Sequence, residues 1–122
     1  MSDVTFNMTA KYDKNGTDLQ FGTGSVGVDL TGDEMIDGVL TATSAAALAI
    51  PLGGVSTGGV CVIHNLDDTN YVTLGYDDTG FQSVMQILAG DFIKVYLDDL
   101  ISAPYVQADT ADCLIRYLIF EQ

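Results

Sequence analysis

The chain has 122 residues, of which 17% are charged, and seventeen acidic residues against four basic ones give a formal net charge of −13. Its length is that of one domain, and it suffices to bury a hydrophobic core without a metal or a disulfide. The basic residues are too few to neutralise a phosphate backbone, which excludes nucleic acid as a partner, and the acidic field excludes an anionic membrane surface. The low charged fraction indicates that another subunit covers part of the surface.

The first residues, Met1-Ser2-Asp3, are polar and acidic and lack the basic and apolar regions of a signal peptide. The longest apolar tracts, residues 45–52 and 113–120, are much shorter than the roughly 20 residues that a membrane-spanning helix needs. We therefore expect a soluble protein that is made in the cytoplasm.

The front of the chain predicts a hairpin. Residues 4–10 alternate between apolar and polar side chains, which is the period of a half-buried strand. Asn15-Gly16 is a strong hairpin signal because both residues tolerate positive φ, so residues 17–23 are expected to fold back on the first strand. Val26 and Val28 continue the alternation beyond the glycines, up to a turn at residues 31–33.

The next two segments leave the element type open. Residues 35–41 suit either a strand or a short helix. Residues 41–52 contain an alanine run with helix propensity, but Leu48, Ile50 and Leu52 alternate. Because Pro51 and the following glycines leave little room for a helix, we favour an extended segment.

The back of the chain contains short apolar runs separated by turns rich in Asp, Asn and Gly. The predicted strands are residues 60–65, 70–76, 81–88, 92–97, 105–108 and 113–120. Short strands at this spacing indicate a sandwich or a barrel, because parallel βαβ units need helical crossovers. The predicted fold is all-β, a jelly-roll-like β-sandwich of about eight short antiparallel strands. Residues 1–122 are expected to form a single domain, with residues 1–52 as a candidate irregular N-terminal arm.

Carboxylates cluster at the predicted turns, in the doublets Asp67-Asp68, Asp77-Asp78 and Asp98-Asp99 and at Asp91. Clustered carboxylates can bind calcium, but the spacing of a calcium-binding loop is absent. Aspartate is also a favoured turn residue because its side chain bonds nearby backbone. We interpret these residues as turn formers, and with fifteen Asp and two Glu no pair stands out as the acid and base of a glycosidase.

The other reactive side chains are interpreted as packing residues. Cys61 and Cys113 lie in apolar runs, which predicts buried free thiols. His64 is three residues from Cys61, and residues at this spacing on a strand point to opposite faces, which argues against a catalytic pair. The main enzyme signatures are absent, so we expect no enzyme, no catalytic residues, no cofactor and no metal site.

Aromatic residues lie near the predicted strand ends, where they either pack at the rim of the core or contact a sugar or a protein partner. Core and rim packing is the favoured interpretation, and the absence of Trp gives carbohydrate binding less support. These residues are Tyr12, Tyr71, Tyr76, Phe81, Tyr96 and Tyr105.

The second half of the chain resembles small virion proteins of tailed bacteriophages. The resemblance covers residues 52–122 and begins at the glycine-rich LGGVSTGGV segment that starts at Leu52. It continues through HNLD from His64, NYVTLG from Asn70 and GDF from Gly90, and it ends in the apolar run LIRYLIF from Leu114. No catalytic residues are carried over with it.

The resemblance implies a capsid decoration, or cement, protein that stabilises the shell through oligomeric contacts with the major capsid protein. Its partners would be itself, as a homotrimer, and the major capsid protein or other virion proteins, and its place would be the capsid surface of the virion. The alternative is a tail, collar or head-fibre component with a glycan- or receptor-binding role. A depolymerase or peptidoglycan hydrolase is a third possibility, and it would need a cleft with converging carboxylates.

Overall fold

The structure is a computed structural model that describes residues 3–53, 55, 58–97 and 103–122. Every regular element in these ranges is a β-strand, so the predicted all-β class is confirmed. No helix that could span a membrane occurs in the described part of the chain. The ten strands are β1 Val4–Lys14, β2 Thr17–Val28, β3 Met35–Ala42, β4 Leu48–Ala49, β5 Gly58–Asn65, β6 Val72–Asp77, β7 Phe81–Ile87, β8 Phe92–Tyr96, β9 Tyr105–Ala108 and β10 Cys113–Glu121.

Contacts gather the chain into two compact units, Met1–Thr31 and Gly32–Gln122. The first contains β1 and β2 and is called the ribbon below. The second contains β3 to β10 and is called the body. That residues 1–122 act as a single domain stays a prediction.

The ribbon is a two-stranded antiparallel hairpin, as the Asn15-Gly16 signal predicts. Both turn residues have positive φ, 54° for Asn15 and 79° for Gly16, which is the geometry of a type I′ turn. The first strand continues to Lys14, four residues beyond its predicted end. The prediction stopped early because residues 13–16 have the composition of a turn.

The body is a sandwich of two four-stranded antiparallel sheets. One sheet has the order β3-β10-β5-β8 and the other the order β4-β9-β6-β7. The chain changes sheet at six of the seven connections between these strands, and only β6 and β7 are joined as a hairpin within one sheet. Eight strands in two sheets with this alternation form a jelly roll, so the predicted fold is confirmed for the body.

The core lies between the two sheets of the body. Alternate residues of β10 and β5 supply one side of it, and the inward residues of β6, β7 and β9 supply the other. Its largest fully buried side chains include Ile50, Ile63, Ile87, Ile115 and Ile119. β-Branched residues dominate this set because they suit a pleated surface that is packed on one side.

Strands β3 and β5 to β10 lie within two residues of their predicted bounds. The structure also shows which element forms in the two segments, residues 35–41 and 41–52, for which the sequence left the element type undecided. Residues 35–42 form a strand, not a helix. Of the extended segment predicted over residues 41–52, Thr41 and Ala42 end β3 and pair with β10, and Leu48 and Ala49 form β4 and pair with β9.

Candidate interaction surface

The strand register places one set of side chains on the solvent side of the β3-β10-β5-β8 sheet. Arg116 lies opposite Val39 on one side and opposite His64 on the other, and His64 in turn lies opposite Phe92. Paired residues in an antiparallel sheet point to the same face, and their neighbours along the strand point to the other. The outer face of the body consists of Met35, Asp37, Val39, Thr41, the buried Val60, Val62, His64, Phe92, Lys94, Tyr96, Leu114, Arg116, Leu118 and Phe120.

Most of the outer face is apolar and open to solvent. Phe92 is 62% exposed, Val39 59% and Tyr96 57%. Met35 and Leu114 are also exposed, while Val62, Leu118 and Phe120 are half-buried. Exposed apolar residues therefore lie on three of the four strands, β3, β10 and β8, and exposed apolar area gathered on one face is typical of a binding surface.

An ion pair joins the edge strand β3 to β10 on this face. Arg116 Nε donates to Asp37 Oδ1 at 3.1 Å, and Arg116 Nη2 donates to Asp37 Oδ2 at 2.9 Å. These bonds lower the pKa of Asp37 and raise that of Arg116, so both groups remain charged over the physiological range. The paired fork fixes the arginine in one orientation on the sheet.

Two further contacts order the aromatic residues at the β8 edge. The Lys94 ammonium lies 5.3 Å from the centroid of the Tyr96 ring, within the range of a cation–π contact. The rings of His64 and Phe92 meet edge to face at a centroid distance of 6.4 Å. Aromatic side chains in fixed positions lose little entropy when a partner covers them.

The outer face differs in charge from the rest of the body. Residues 32–122 contain thirteen of the seventeen acidic residues but only two basic ones, Lys94 and Arg116. Both basic residues lie on the outer face, where the only acidic side chain is Asp37. The outer face is therefore depleted of acidic residues, and depletion of Asp and Glu with enrichment of Arg and aromatic residues is found in protein interfaces.

The aspartates predicted at turns do form turns where the structure describes them. Asp67 Oδ2 accepts hydrogen bonds from the Asn70 amide at 2.6 Å and the Thr69 amide at 3.0 Å, which lower the pKa of Asp67. Asp77 Oδ1 accepts from the Gly80 amide at 3.1 Å. Asp98 and Asp99 lie outside the described residues. Within the described ranges, no three His, Cys, Asp or Glu side chains are placed to hold a metal ion.

The cysteines and the histidine also lie where the sequence predicts. Cys61 and Cys113 are fully buried free thiols, and burial raises the pKa of Cys61 to about 12. Burial also raises the pKa of Cys113. Cys61 points into the core and His64 to the outer face, so the two do not form a pair.

The aromatic residues singled out from the sequence are dispersed over the fold. Tyr12 belongs to the ribbon, and only Tyr96 is part of the outer face. Tyr71 lies beside Asp109, and the hydrogen bond to that carboxylate raises the pKa of Tyr71. Tyr76 helps to line an apolar cavity of about 120 Å³ with Leu74, Met85, Val95, Leu97 and Pro104, and no carboxylate lines this cavity.

Sequence reasoning missed most of the outer face, although one signal pointed to it. In β10 every residue from Cys113 to Phe120 except Arg116 is apolar, whereas a strand with one solvated face alternates. A continuous apolar run indicates that both faces of the strand are covered. Its neighbours on the face could be found only from the register.

Together, the strands define a jelly-roll body that has exposed apolar residues on the outer side of one sheet. Comparisons with protein-family models, with curated proteins and with solved structures returned no match. The resemblance to virion proteins therefore stays a prediction from the residues.

Proposed function

We propose that this chain is a non-enzymatic structural protein of a tailed-bacteriophage virion, and specifically a capsid decoration protein that stabilises the shell. The observation that carries the proposal is the outer face of the body. It presents exposed apolar side chains on one sheet of the jelly roll, with an ion pair between β3 and β10. The resemblance of residues 52–122 to small virion proteins is the reason for proposing a bacteriophage virion as the assembly.

The physical features suit a protein that braces a larger assembly. Two packed sheets with a continuous core resist local opening, because most backbone groups are paired and the side chains between the sheets are fully buried. The outer face offers apolar area for a lasting contact. The acidic residues around it would orient the protein on a shell with basic patches, which affects the association rate more than the affinity.

The proposed assembly is a homotrimer on the capsid surface, in contact with the major capsid protein at local threefold positions. The threefold arrangement comes from the resemblance. The contact with the shell is assigned to the outer face, because its charge is close to neutral while the rest of the body is strongly acidic.

The test uses shells from the phage that encodes the chain, prepared without this protein. Purified protein should bind these shells at a fixed ratio to the major capsid protein and raise their melting temperature. Val39→Asp places a charge on the outer face and should weaken shell binding at least about tenfold, because an unpaired carboxylate would be buried in the contact.

Gln86→Asp is the control. Gln86 is exposed on β7 in the opposite sheet, opposite Thr73, and it does not line the cavity beside Tyr96. This variant should bind like the parent protein. Absence of the chain from purified virions, failure of the parent to bind, or equal loss in both variants would contradict the proposal.

The second candidate is a glycan- or receptor-binding role in a tail, collar or head fibre. It is favoured by the pairing of the Tyr71 hydroxyl with Asp109, since a ring beside a carboxylate suits a sugar. This role predicts a few copies in each virion and binding on a glycan array that Tyr71→Ala abolishes. A copy number near that of the shell protein, with no glycan bound, would reject it.

A further inference from the structure

The ribbon has one apolar and one polar face along its whole length. Opposed residues in β1 and β2 are Val4 with Val28, Phe6 with Val26, Ala10 with Phe21, and Tyr12 with Leu19. The opposite face pairs Thr5 with Gly27, Asn7 with Ser25, Thr9 with Gly22, Lys11 with Gln20, and Asp13 with Asp18. The apolar face of the ribbon is defined as Val4, Phe6, Met8, Ala10, Tyr12, Leu19, Phe21, Val26 and Val28.

A β-bulge makes this separation possible. Leu19 and Phe21 have odd positions in the sequence and Val26 and Val28 have even ones, so a regular strand would place the two pairs on opposite faces. The register shifts between Asn7 and Thr9, where Thr23 and Gly24 of β2 face Met8 alone. Gly24 has a φ of 63°, and Thr23 Oγ1 accepts a hydrogen bond from the Met8 amide at 3.1 Å.

The bulge therefore lies at the point in β2 where the apolar residues change from odd to even positions. A bulge changes the direction of every later side chain on its strand. Here the change brings Leu19 and Phe21 to the same side as Val26, and no large apolar side chain is left on the polar face. The position of the bulge thus gathers the large apolar side chains of both strands on one face of the ribbon.

The apolar face is open to solvent and needs cover. Leu19 is 63% exposed, Phe21 57%, Tyr12 51%, Met8 47% and Val26 42%. A two-stranded hairpin is at best marginally stable in water without a packed face. A covering layer would stabilise the ribbon and remove these side chains from water.

We infer that the apolar face of the ribbon packs on the same face of neighbouring copies of this chain, so that the ribbon is the self-association element of the protein. At roughly 100 Å² for each half-exposed large side chain, five of them present about 500 Å² per copy. Two such faces together bury about 1,000 Å², the size at which specific interfaces begin.

The charge distribution of the chain favours a second copy of the same chain as the partner that covers the apolar face of the ribbon. The two strands of the ribbon carry Lys11 and Lys14 against Asp13 and Asp18, and with Asp3 and Asp29 residues 1–31 have a formal charge of only −2, whereas residues 32–122 have one of −11. Two ribbons therefore repel each other much less than two bodies do. Lys14, at the turn end, is the one charged side chain on the same side as the apolar face.

The test is the mass of the full-length protein in solution, measured by sedimentation between about 1 and 100 μM. The parent protein should be a homo-oligomer. Phe21→Asp should raise the dissociation constant at least about tenfold, because it buries an unpaired charge. Gln20→Asp adds the same charge at the adjacent position on the polar face, opposite Lys11, and should leave the mass unchanged.

Cross-linking gives a second readout that does not depend on a disruptive change. Ala10→Cys places a thiol on the apolar face, and Thr9→Cys places one on the polar face. A short bismaleimide should join copies of the Ala10→Cys variant and should leave copies of the Thr9→Cys variant separate. A monomeric parent protein, an unchanged mass for Phe21→Asp, or equal cross-linking of the two cysteine variants would overturn the inference.

The inference does not depend on a role in the virion, because it concerns purified protein alone. A protein that self-associates through the ribbon but fails to bind shells would leave it intact and reject only the proposed function.

Discussion

Asn65 is a fully buried polar side chain at the end of β5, and its hydrogen bonds join three parts of the body. Its Nδ2 group donates to the Asn70 carbonyl at 2.9 Å and to the Ile87 carbonyl at 3.1 Å. Its Oδ1 atom accepts from the Asp67 amide at 3.0 Å. One side chain thus fixes the turn after β5 against the end of β7.

Replacing this side chain should destabilise the body strongly. Asn65→Leu keeps a similar volume but leaves two carbonyls and one amide without partners, so we expect a loss of about 2 to 4 kcal/mol in the free energy of unfolding. Urea unfolding would measure it. The control is Asn70→Ala, because the Asn70 side chain takes part in an exposed bond with Thr110 and should cost less than about 1 kcal/mol. Equal losses would contradict the assigned role.

Asp67 makes the stability of the same turn depend on pH. The Asn70 and Thr69 amides hold its pKa below the ordinary value of about 3.9. The folded state therefore binds this proton less readily than the unfolded state does. The stabilisation is complete above about pH 4 and is lost as the pH falls through the lowered pKa.

We therefore expect Asp67→Asn to lower the melting temperature near neutral pH and to have a shrinking effect below about pH 4. Thermal unfolding of both proteins between about pH 7 and pH 2.5 would measure the difference. Asp68→Asn removes a charge from the same turn without touching the two amide donors, since Asp68 accepts from the Thr69 hydroxyl. A difference that stays constant with pH would refute the linkage.

At the scale of elements, the strand β6 contains a glycine that the local packing requires. The register of β6 and β7 shifts between Leu74 and Gly75. A Cβ atom at Gly75 would overlap the backbone carbonyl of Gln82, which cannot move without breaking the strand pair. Backbone of one strand thus approaches the other closely at this bulge.

Gly75→Val should therefore cost at least about 2 kcal/mol of stability, or prevent β6 and β7 from pairing. Ser83→Val is the control, because Ser83 lies directly opposite Gly75 and is exposed. That change should alter the free energy of unfolding by less than about 0.5 kcal/mol. A well-folded Gly75→Val variant of parental stability would show that the bulge tolerates a side chain.

The strands of the body could be predicted because their signals are local. Apolar runs that end in Asp, Asn or Gly set the bounds of β5 to β10 to within two residues. The sheet order could not be predicted, because β10 pairs with β3 and β5, which lie far from it in the sequence. The register of these strands determines which residues share the outer face, so the outer face could not be predicted either.

The apolar face of the ribbon was missed for a different reason. The glycines at positions 22, 24 and 27 interrupt a long strand pattern, so the predicted second strand ended at residue 23. Gly24 in fact supports the bulge that restores one face. A change of phase in the apolar pattern beside a glycine is a signal of a bulge, and it could have been read from the sequence.

At the scale of the whole molecule, the two apolar surfaces have different surroundings. The ribbon, residues 1–31, has a formal charge of −2, whereas the outer face belongs to a body whose thirteen acidic and two basic residues give a formal charge of −11. Under the two proposals the ribbon contacts identical copies and the outer face contacts a shell. Like-charged bodies repel each other at low salt, which opposes self-association through the body and leaves its outer face available to a partner of opposite charge.

The position of β10 in its sheet has a consequence for synthesis. This strand comes last of the ten but lies between β3 and β5, so that neither of those strands has its full set of partners before residues 113–121 have left the ribosome. The body must therefore fold after its translation, through contacts that are distant in sequence, and such folding is slow. Until then the apolar strands of the sheet are exposed in the crowded cell, where a chaperone or a nascent neighbour can reach them.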